Sequence, residues 1–167
     1  KVCHIYGRSI ISNNKIEENV FEIVNQLNLG ADLITQKNEK CKLAELNLIA
    51  GKKAKASTAY QTALIYLNKA KKLIKNSCNH YKLNYSINIE LSECEYLSGN
   101  FKKAEKIFEI VLQQGKTRLE KVKIYILKIN LYTDEGKLTQ AIDIGLKALE
   151  LFDICLHKKD ISLAIAQ

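Results

Sequence analysis

Apolar residues recur along this chain at spacings of three and four, which place them on one face of a helix. The stripes are Val20, Ile23, Val24 and Leu27; Leu43, Leu46, Ile49 and Ala50; Ile87, Leu91, Cys94 and Leu97; and Ile124, Leu127 and Leu131. They predict helices over 1–12, 16–29, 36–50, 53–75, 80–98, 101–115, 117–134 and 138–152. The stretch 122–129 is rich in Ile, Val and Tyr and would also fit a strand, but the internal repeat favours a helix there.

Three glycines mark the turns of this repeat. Segments beginning at Gly51, Gly99 and Gly136 carry an alanine five positions later and further packing positions nine and twelve later. These offsets share one helix face, where small side chains let a neighbouring helix approach closely. The predicted packing residues are Gly51, Ala56, Tyr60, Ala63, Gly99, Ala104, Phe108, Val111, Gly136, Ala141, Gly145 and Ala148.

The composition agrees with an all-α fold. Proline is absent and there are seven glycines among 167 residues, which disfavours sandwiches and barrels with many tight turns. Stacked hairpins would bury two apolar faces each and form a right-handed superhelix, an α–α solenoid. We expect one helical-repeat domain over 1–167, cut from a longer protein. Its hairpins would span about 1–29, 36–75, 80–115 and 117–152, with a tail at 153–167 that could begin another repeat.

The repeat residues resemble those of tetratricopeptide repeats: Gly99, then Phe101, Ala104, Phe108 and Val111. A closer resemblance is carried by HIYGR, EENVFEIVNQLNLGADLI, LAELNLIAGKKAKASTAYQTALIYL and FEIVLQQGKTRLEKVKIY. These stretches are similar to the helical region of very large bacterial signalling proteins, common in cyanobacteria. In that family a serine/threonine kinase domain and a STAND/AAA-type ATPase precede the repeats, and a GAF sensor and a sensor histidine kinase follow them.

The resemblance implies a non-catalytic scaffold that couples binding of a partner or effector to the neighbouring domains. No catalytic residue of the family maps onto this chain. The partner would be a protein or peptide, or a neighbouring domain of the same chain, held in a groove built by the first helices of the hairpins. The predicted outward side chains of that groove are Glu45, Asn88, Glu95, Tyr125 and Lys128.

The formal net charge of +8 raises an alternative. Basic residues fall near the predicted turns and helix starts, at Lys52, Lys53, Lys55, Lys69, Lys71, Lys72, Lys75, Lys102, Lys103, Lys106, Arg118, Lys121 and Lys123. Lined along one edge they would let a helical solenoid bind nucleic acid. No recognition motif accompanies them, so an acidic protein partner or simple solubility explains the charge as well.

Candidate chemistry is sparse. The five cysteines lack a C-x-x-C motif, which predicts unpaired thiols, no metal site and a cytoplasmic, reducing location. Cys78 and His80 alone are too few for structural zinc. Gly51-Lys52-Lys53 lacks the phosphate-loop pattern, so no cofactor is expected. Glu90, Glu93 and Glu95 are predicted to form a solvated face. No apolar run is long enough to span a membrane.

Overall fold

The computed structural model describes residues 13–75 and 80–156, with side chains from residue 19 onward. Within these ranges the chain forms α-helices and one short 3₁₀ turn, Ala31–Leu33, without any strand. The helices are α1 Asn13–Leu29, α2 Lys37–Ala56, α3 Tyr60–Ile74, α4 Tyr81–Leu97, α5 Phe101–Gln114, α6 Arg118–Asp134 and α7 Leu138–Glu150. The all-α prediction is confirmed for this part of the chain, including the ambiguous stretch 122–129, which lies within α6. The predicted helix 1–12 lies outside the described residues.

The chain divides into two compact units, Lys1–Gly99 and Asn100–Gln167. The first holds α1 to α4 and the second holds α5 to α7. That the whole chain is one helical-repeat domain with superhelical stacking stays a prediction.

The first unit is built around α2 and α3. α2 packs against α1, α3 and α4, and α3 also packs against α4. Leu64, Leu67, Ala70 and Ile74 are buried on α3 because their spacing of three and four keeps them on one face. Between α1 and α3, the rings of Phe21 and Tyr66 stack with centroids 5.7 Å apart.

The second unit packs α5 and α7 against α6. Its buried side chains include Ala104, Phe108, Val111, Ile124, Leu131 and Ala141. A capping box begins α6: the Glu120 backbone N–H donates to the Thr117 hydroxyl at 3.2 Å, and the Thr117 N–H donates to the Glu120 carboxylate at 3.1 Å. These bonds satisfy donors that have no partner inside the helix, and so they fix where α6 starts.

The predicted turn at Gly51 is wrong, because this glycine lies inside α2 and is buried. A Cβ atom at position 51 would stand 2.7 Å from Cγ of Leu67 and 2.8 Å from its Cδ2. The glycine therefore permits close approach of α2 to α3, a role of small residues at helix contacts.

Thr58 occupies the turn that the sequence assigned to Gly51. Its φ is +58°, and φ is +76° at Gly99 and +72° at Gly136. Each of these residues stands two positions before the start of a helix, at Tyr60, Phe101 and Leu138 respectively. The left-handed conformation suits glycine and is costly for a β-branched residue. A threonine therefore does not predict such a turn in the sequence.

The shared turn conformation gives a corrected repeat register. Five positions after each turn residue stand Ala63, Ala104 and Ala141, which are all buried, whereas Ala56 is exposed. Of the remaining predicted packing positions, Phe108 and Val111 are buried and Tyr60, Gly145 and Ala148 are half-buried. Gly99 and Gly136 are exposed turn residues, so the prediction that they pack against a helix is wrong. A Cβ atom at Gly145 would meet Cδ1 of Ile129 at 3.8 Å, an ordinary contact.

Candidate interaction surfaces

The five predicted groove residues do not form one outward-facing set. Glu45 is exposed and Tyr125 is half-buried. Asn88, Glu95 and Lys128 are only 2%, 7% and 5% exposed, so the prediction of outward side chains is wrong for these three. Lys128 pairs with Glu109 of α5, and the Asn88 amide donates to Asn84 Oδ1 of its own helix at 3.1 Å.

A cluster of charged side chains joins α2 to α4 in the first unit. Lys55 Nζ lies 2.6 Å from Glu90 Oε2 and 2.6 Å from Glu93 Oε2. Lys52 approaches Glu90 at 3.6 Å. Burial alone would lower the pKa of Lys55, but hydrogen bonds to the two carboxylates and their charge outweigh it and raise the pKa above 10.5. The prediction of a solvated carboxylate face is therefore wrong at Glu90, whose side chain is 14% exposed and paired.

Amide and hydroxyl groups add further links in the first unit. Asn28 and Asn47 exchange two hydrogen bonds, of 2.9 and 3.0 Å, between α1 and α2. The Tyr66 hydroxyl donates to Asn25 Oδ1 at 2.9 Å and so joins α3 to α1. Buried polar groups need such partners, and these pairs fix the relative register of the helices.

The second unit has its own polar contacts between α5 and α6. Buried Lys128 pairs with Glu109, and the Tyr132 hydroxyl donates to Glu105. Burial, followed by the hydrogen bond to Glu105, raises the pKa of Tyr132 above its ordinary value. Lys128 and Lys137 each place Nζ 5.9 Å from the centre of the Tyr132 ring. Each carboxylate in this set thus faces a donor on the neighbouring helix.

Among the residues with described positions, no three His, Cys, Asp or Glu side chains come together to hold a metal ion. The titratable side chains of both polar clusters instead neutralise one another across helix contacts. Of the predicted basic edge, Lys55 is engaged in such a cluster, and burial lowers the pKa of half-buried Lys71.

The cysteines differ from the prediction that all five are unpaired. Cys41 is disulfide-bonded, so that prediction is wrong at this position. Cys94 and Cys155 are free. Cys94 is buried, and burial raises the pKa of its thiol to about 12, whereas Cys155 is exposed. Cys3 and Cys78 lie outside the described residues, as do His4 and His157.

One helix face in the second unit carries apolar residues that the described part of the chain leaves exposed or half-buried. Leu138, Ile142, Leu146 and Leu149 share one face of α7 by their spacing, and we call them the α7 apolar face. Leu138 is 59% exposed and Ile142 is 36% exposed, and the other two are half-buried. Directly after the helix, Phe152, Ile154 and Leu156 are exposed as well. Large apolar side chains exposed in this way are typical of a contact site for another protein segment.

Sequence reasoning did not single out the α7 apolar face. The signal was present, because apolar residues of α7 fall on two faces, one around Ala141 and Ala148 and the other around Ile142 and Leu149. A helix that is apolar on two faces needs two neighbours, and α6 supplies one of them.

No helix within 13–75 and 80–156 has both the length and the apolar character needed to cross a bilayer.

Comparison with known proteins identifies a signalling protein as a relative. The chain is 28% identical over 158 residues to the hybrid signal transduction histidine kinase G of Dictyostelium discoideum. The match covers 88% of this chain and 4% of that protein, so the chain spans only a small part of the relative's length. No protein-family description matches the chain, and no solved structure does.

Proposed function

We propose that this chain is a non-catalytic, tetratricopeptide-like interaction segment of a large signal-transduction protein. It would couple the binding of a protein partner, or of a neighbouring domain, to the kinase or ATPase domains of its parent. The observation that carries the proposal is the uncovered α7 apolar face, since an exposed apolar helix face is suited to binding another helix. The similarity to part of a histidine kinase supports the signalling context.

The charge distribution supports binding rather than catalysis. Two ion pairs join helices: Lys55 with Glu90 between α2 and α4, and Lys128 with Glu109 between α6 and α5. Removing one partner of such a pair leaves an uncompensated charge, so these groups are constrained by their structural contacts. General acid–base work would instead need a carboxylate or imidazole that faces a substrate.

The test compares two leucines in the intact parent protein. Leu138 opens α7 and Leu119 lies in the first turn of α6; they are 59% and 70% exposed. Aspartate in a first helical turn is favoured by the helix dipole, so Leu138→Asp and Leu119→Asp should both fold, as circular dichroism would verify. We expect Leu138→Asp to alter kinase output or its response to effectors and Leu119→Asp to leave both unchanged.

Equal output from the two variants and the unaltered parent would contradict the proposal. The nucleic-acid alternative has a separate test. Binding of random DNA or RNA that weakens steeply above about 50 mM salt would favour a lysine-rich nucleic-acid surface, and would not depend on Leu138.

A further inference from the structure

The exposed face of α3 carries positive charge over much of its length. Ile65, Lys69 and Lys72 follow one another at spacings of four and three, which place them on one side of the helix. Lys75 comes directly after the helix and keeps helical dihedral angles, with φ −49° and ψ −35°, so it continues the row. Ile65 is 63% exposed, and the three lysines are exposed as well. We call these four residues the α3 lysine face.

The lysines of α2 and those of α3 differ in their electrostatic surroundings. Lys52 and Lys55 lie against the carboxylates of α4. The lysines of the α3 lysine face, in contrast, take part in no ion pair within the described residues. The sequence holds no Asp or Glu between Glu45 and Glu90, so neither α3 nor the connections on either side of it supply a carboxylate.

The repeat itself does not require lysine at these positions. In the corrected register, the positions equivalent to 65, 69 and 72 are occupied by Lys106, Ile110 and Gln113 in α5 and by Asp143, Lys147 and Glu150 in α7. Both helices form with this mixed set, so helix formation does not explain the lysines of α3. The helix dipole favours basic residues only near the last turn, and Lys69 lies before the last turn of α3.

We propose that the α3 lysine face binds an acidic amphipathic helix of another protein segment. An apolar side chain of that helix would pack on Ile65, and its carboxylates would pair with the lysines. A helix advances about 1.5 Å per residue, so positions 69, 72 and 75 lie about 4.5 Å apart along the axis. Glutamates three or four residues apart on a partner helix repeat at a matching distance. The surface lies in the first unit, and the proposal does not rest on the function proposed for the α7 apolar face.

The composition of the face distinguishes between classes of anionic partner. Nucleic acid is bound mainly through its phosphates, and single strands also stack their bases on aromatic rings; the α3 lysine face contains neither an aromatic residue nor an arginine. A helix that lies in a membrane surface buries a row of apolar side chains, and this face exposes Ile65 alone. An acidic amphipathic helix uses both the isoleucine and the lysines, as interfaces with an apolar centre and a charged rim do.

The test measures binding of a fluorescent helical peptide to the full chain. The peptide presents one leucine and three glutamates on one face, at the spacings of the α3 lysine face, and a control peptide carries glutamine in place of glutamate. We expect the triple variant Lys69→Glu, Lys72→Glu and Lys75→Glu to weaken binding about tenfold, the combined effect of three exposed ion pairs. The control peptide should bind the unaltered chain as weakly as the acidic peptide binds this variant.

A matched variant separates a specific surface from net charge. Three exposed lysines of α5 offer the same change in charge through Lys102→Glu, Lys103→Glu and Lys106→Glu, and this variant should bind the acidic peptide within about twofold of the unaltered chain. Circular dichroism verifies that both triple variants fold. If carboxylates near the end of α3 destabilise it, glutamine at the same three positions removes the charge alone and should still weaken binding severalfold. Equal losses in the α3 and α5 variants, or no binding of the acidic peptide, would overturn the proposal.

The isoleucine decides which class of partner the face binds. Ile65→Ser should weaken binding of the acidic peptide about threefold, because part of an apolar contact is lost. Ile126→Ser on α6, where Ile126 is 52% exposed, should not change it. A single-stranded oligonucleotide and vesicles containing phosphatidylserine are the competing probes. Tighter binding of either one than of the peptide, lost in the α3 triple variant and indifferent to Ile65→Ser, would assign the face to that partner and remove the acidic helix.

Discussion

α3 and α7 begin at equivalent turns but lie in different surroundings. α3 packs against α2 on one side and α4 on another, whereas α7 packs closely on α6 among the described helices. Equivalent residues accordingly differ in burial, with Leu64 at 7% and Ile142 at 36%. The difference shows that burial of a helix face depends on which segment follows it, so a shared local pattern does not give a shared environment.

The largest expected effect comes from truncating the two equivalent aliphatic residues. Leu64→Ala should lower the free energy of unfolding by about 2–5 kcal/mol, since it removes packed atoms from a buried site. Ile142→Ala should cost about 1 kcal/mol or less in urea denaturation, because much of its surface already faces water. Equal losses at the two positions would mean that α7 is covered as fully as α3.

Overpacking distinguishes the two candidate repeat registers. Ala63→Leu on α3 and Ala104→Leu on α5 should each cost about 1–3 kcal/mol, because both alanines are at 0% exposure in helix contacts. Ala56→Leu should change stability by about 0.5 kcal/mol or less, as exposed substitutions usually do. Thermal denaturation of the three variants measures this, and a large loss at Ala56 would restore the register that begins at Gly51.

The comparison of the turns before α3 and α7 predicts one substitution that increases stability. Thr58 adopts φ +58°, whereas Gly136 supplies the same turn without a side chain. Thr58→Gly should therefore raise the free energy of unfolding by about 1 kcal/mol, the usual cost of the left-handed conformation for a residue with a Cβ. Gly136→Thr should lower it by a similar amount. A destabilised Thr58→Gly variant would show that the threonine side chain contributes a contact that outweighs its strain.

The smallest expected effect concerns the ionic cluster that ties α4 to α2 and so keeps α3 covered. Because the pKa of Lys55 is raised above 10.5 in the folded chain, its contribution is complete below pH 10.5 and is lost as pH rises through the folded value. Lys55→Gln should cost up to about 1 kcal/mol at pH 8. The difference from the unaltered chain should shrink above pH 11, as denaturation at the two pH values would measure; a constant difference would contradict the ionic explanation.

The helices were predictable from the sequence, and the contacts between them were only partly so. Spacings of three and four correctly predicted helical structure, except that the predicted helix 53–75 crosses the turn between α2 and α3. Gly51 misled the repeat alignment because a glycine can serve either a turn or a close helix contact, and the distinction depends on Leu67, which is distant in sequence. Thr58 gave no signal, because threonine is not a residue that favours the left-handed conformation.

The candidate groove failed for a related reason. Lys128 stands between Ile124 and Leu131 at spacings of four and three, so its place on the buried stripe was readable. Its charge nevertheless suggested exposure. The partner that allows its burial, Glu109, lies on another helix and could not be identified from the local sequence. The disulfide of Cys41 was also missed, because irregular cysteine spacing gives no indication of pairing.

The contact between Gly51 and Leu67 makes two distant positions depend on each other in evolution. A methyl group at position 51 would collide with Leu67 at 2.7 Å, so alanine should become tolerable there once position 67 carries a smaller side chain. We expect Gly51→Ala and Leu67→Val to be less harmful together than their separate effects predict, with a coupling of about 0.5–3 kcal/mol. Among homologues, this pair should therefore change in concert, and a mutational scan should tolerate other residues at position 51 only in backgrounds altered at 67.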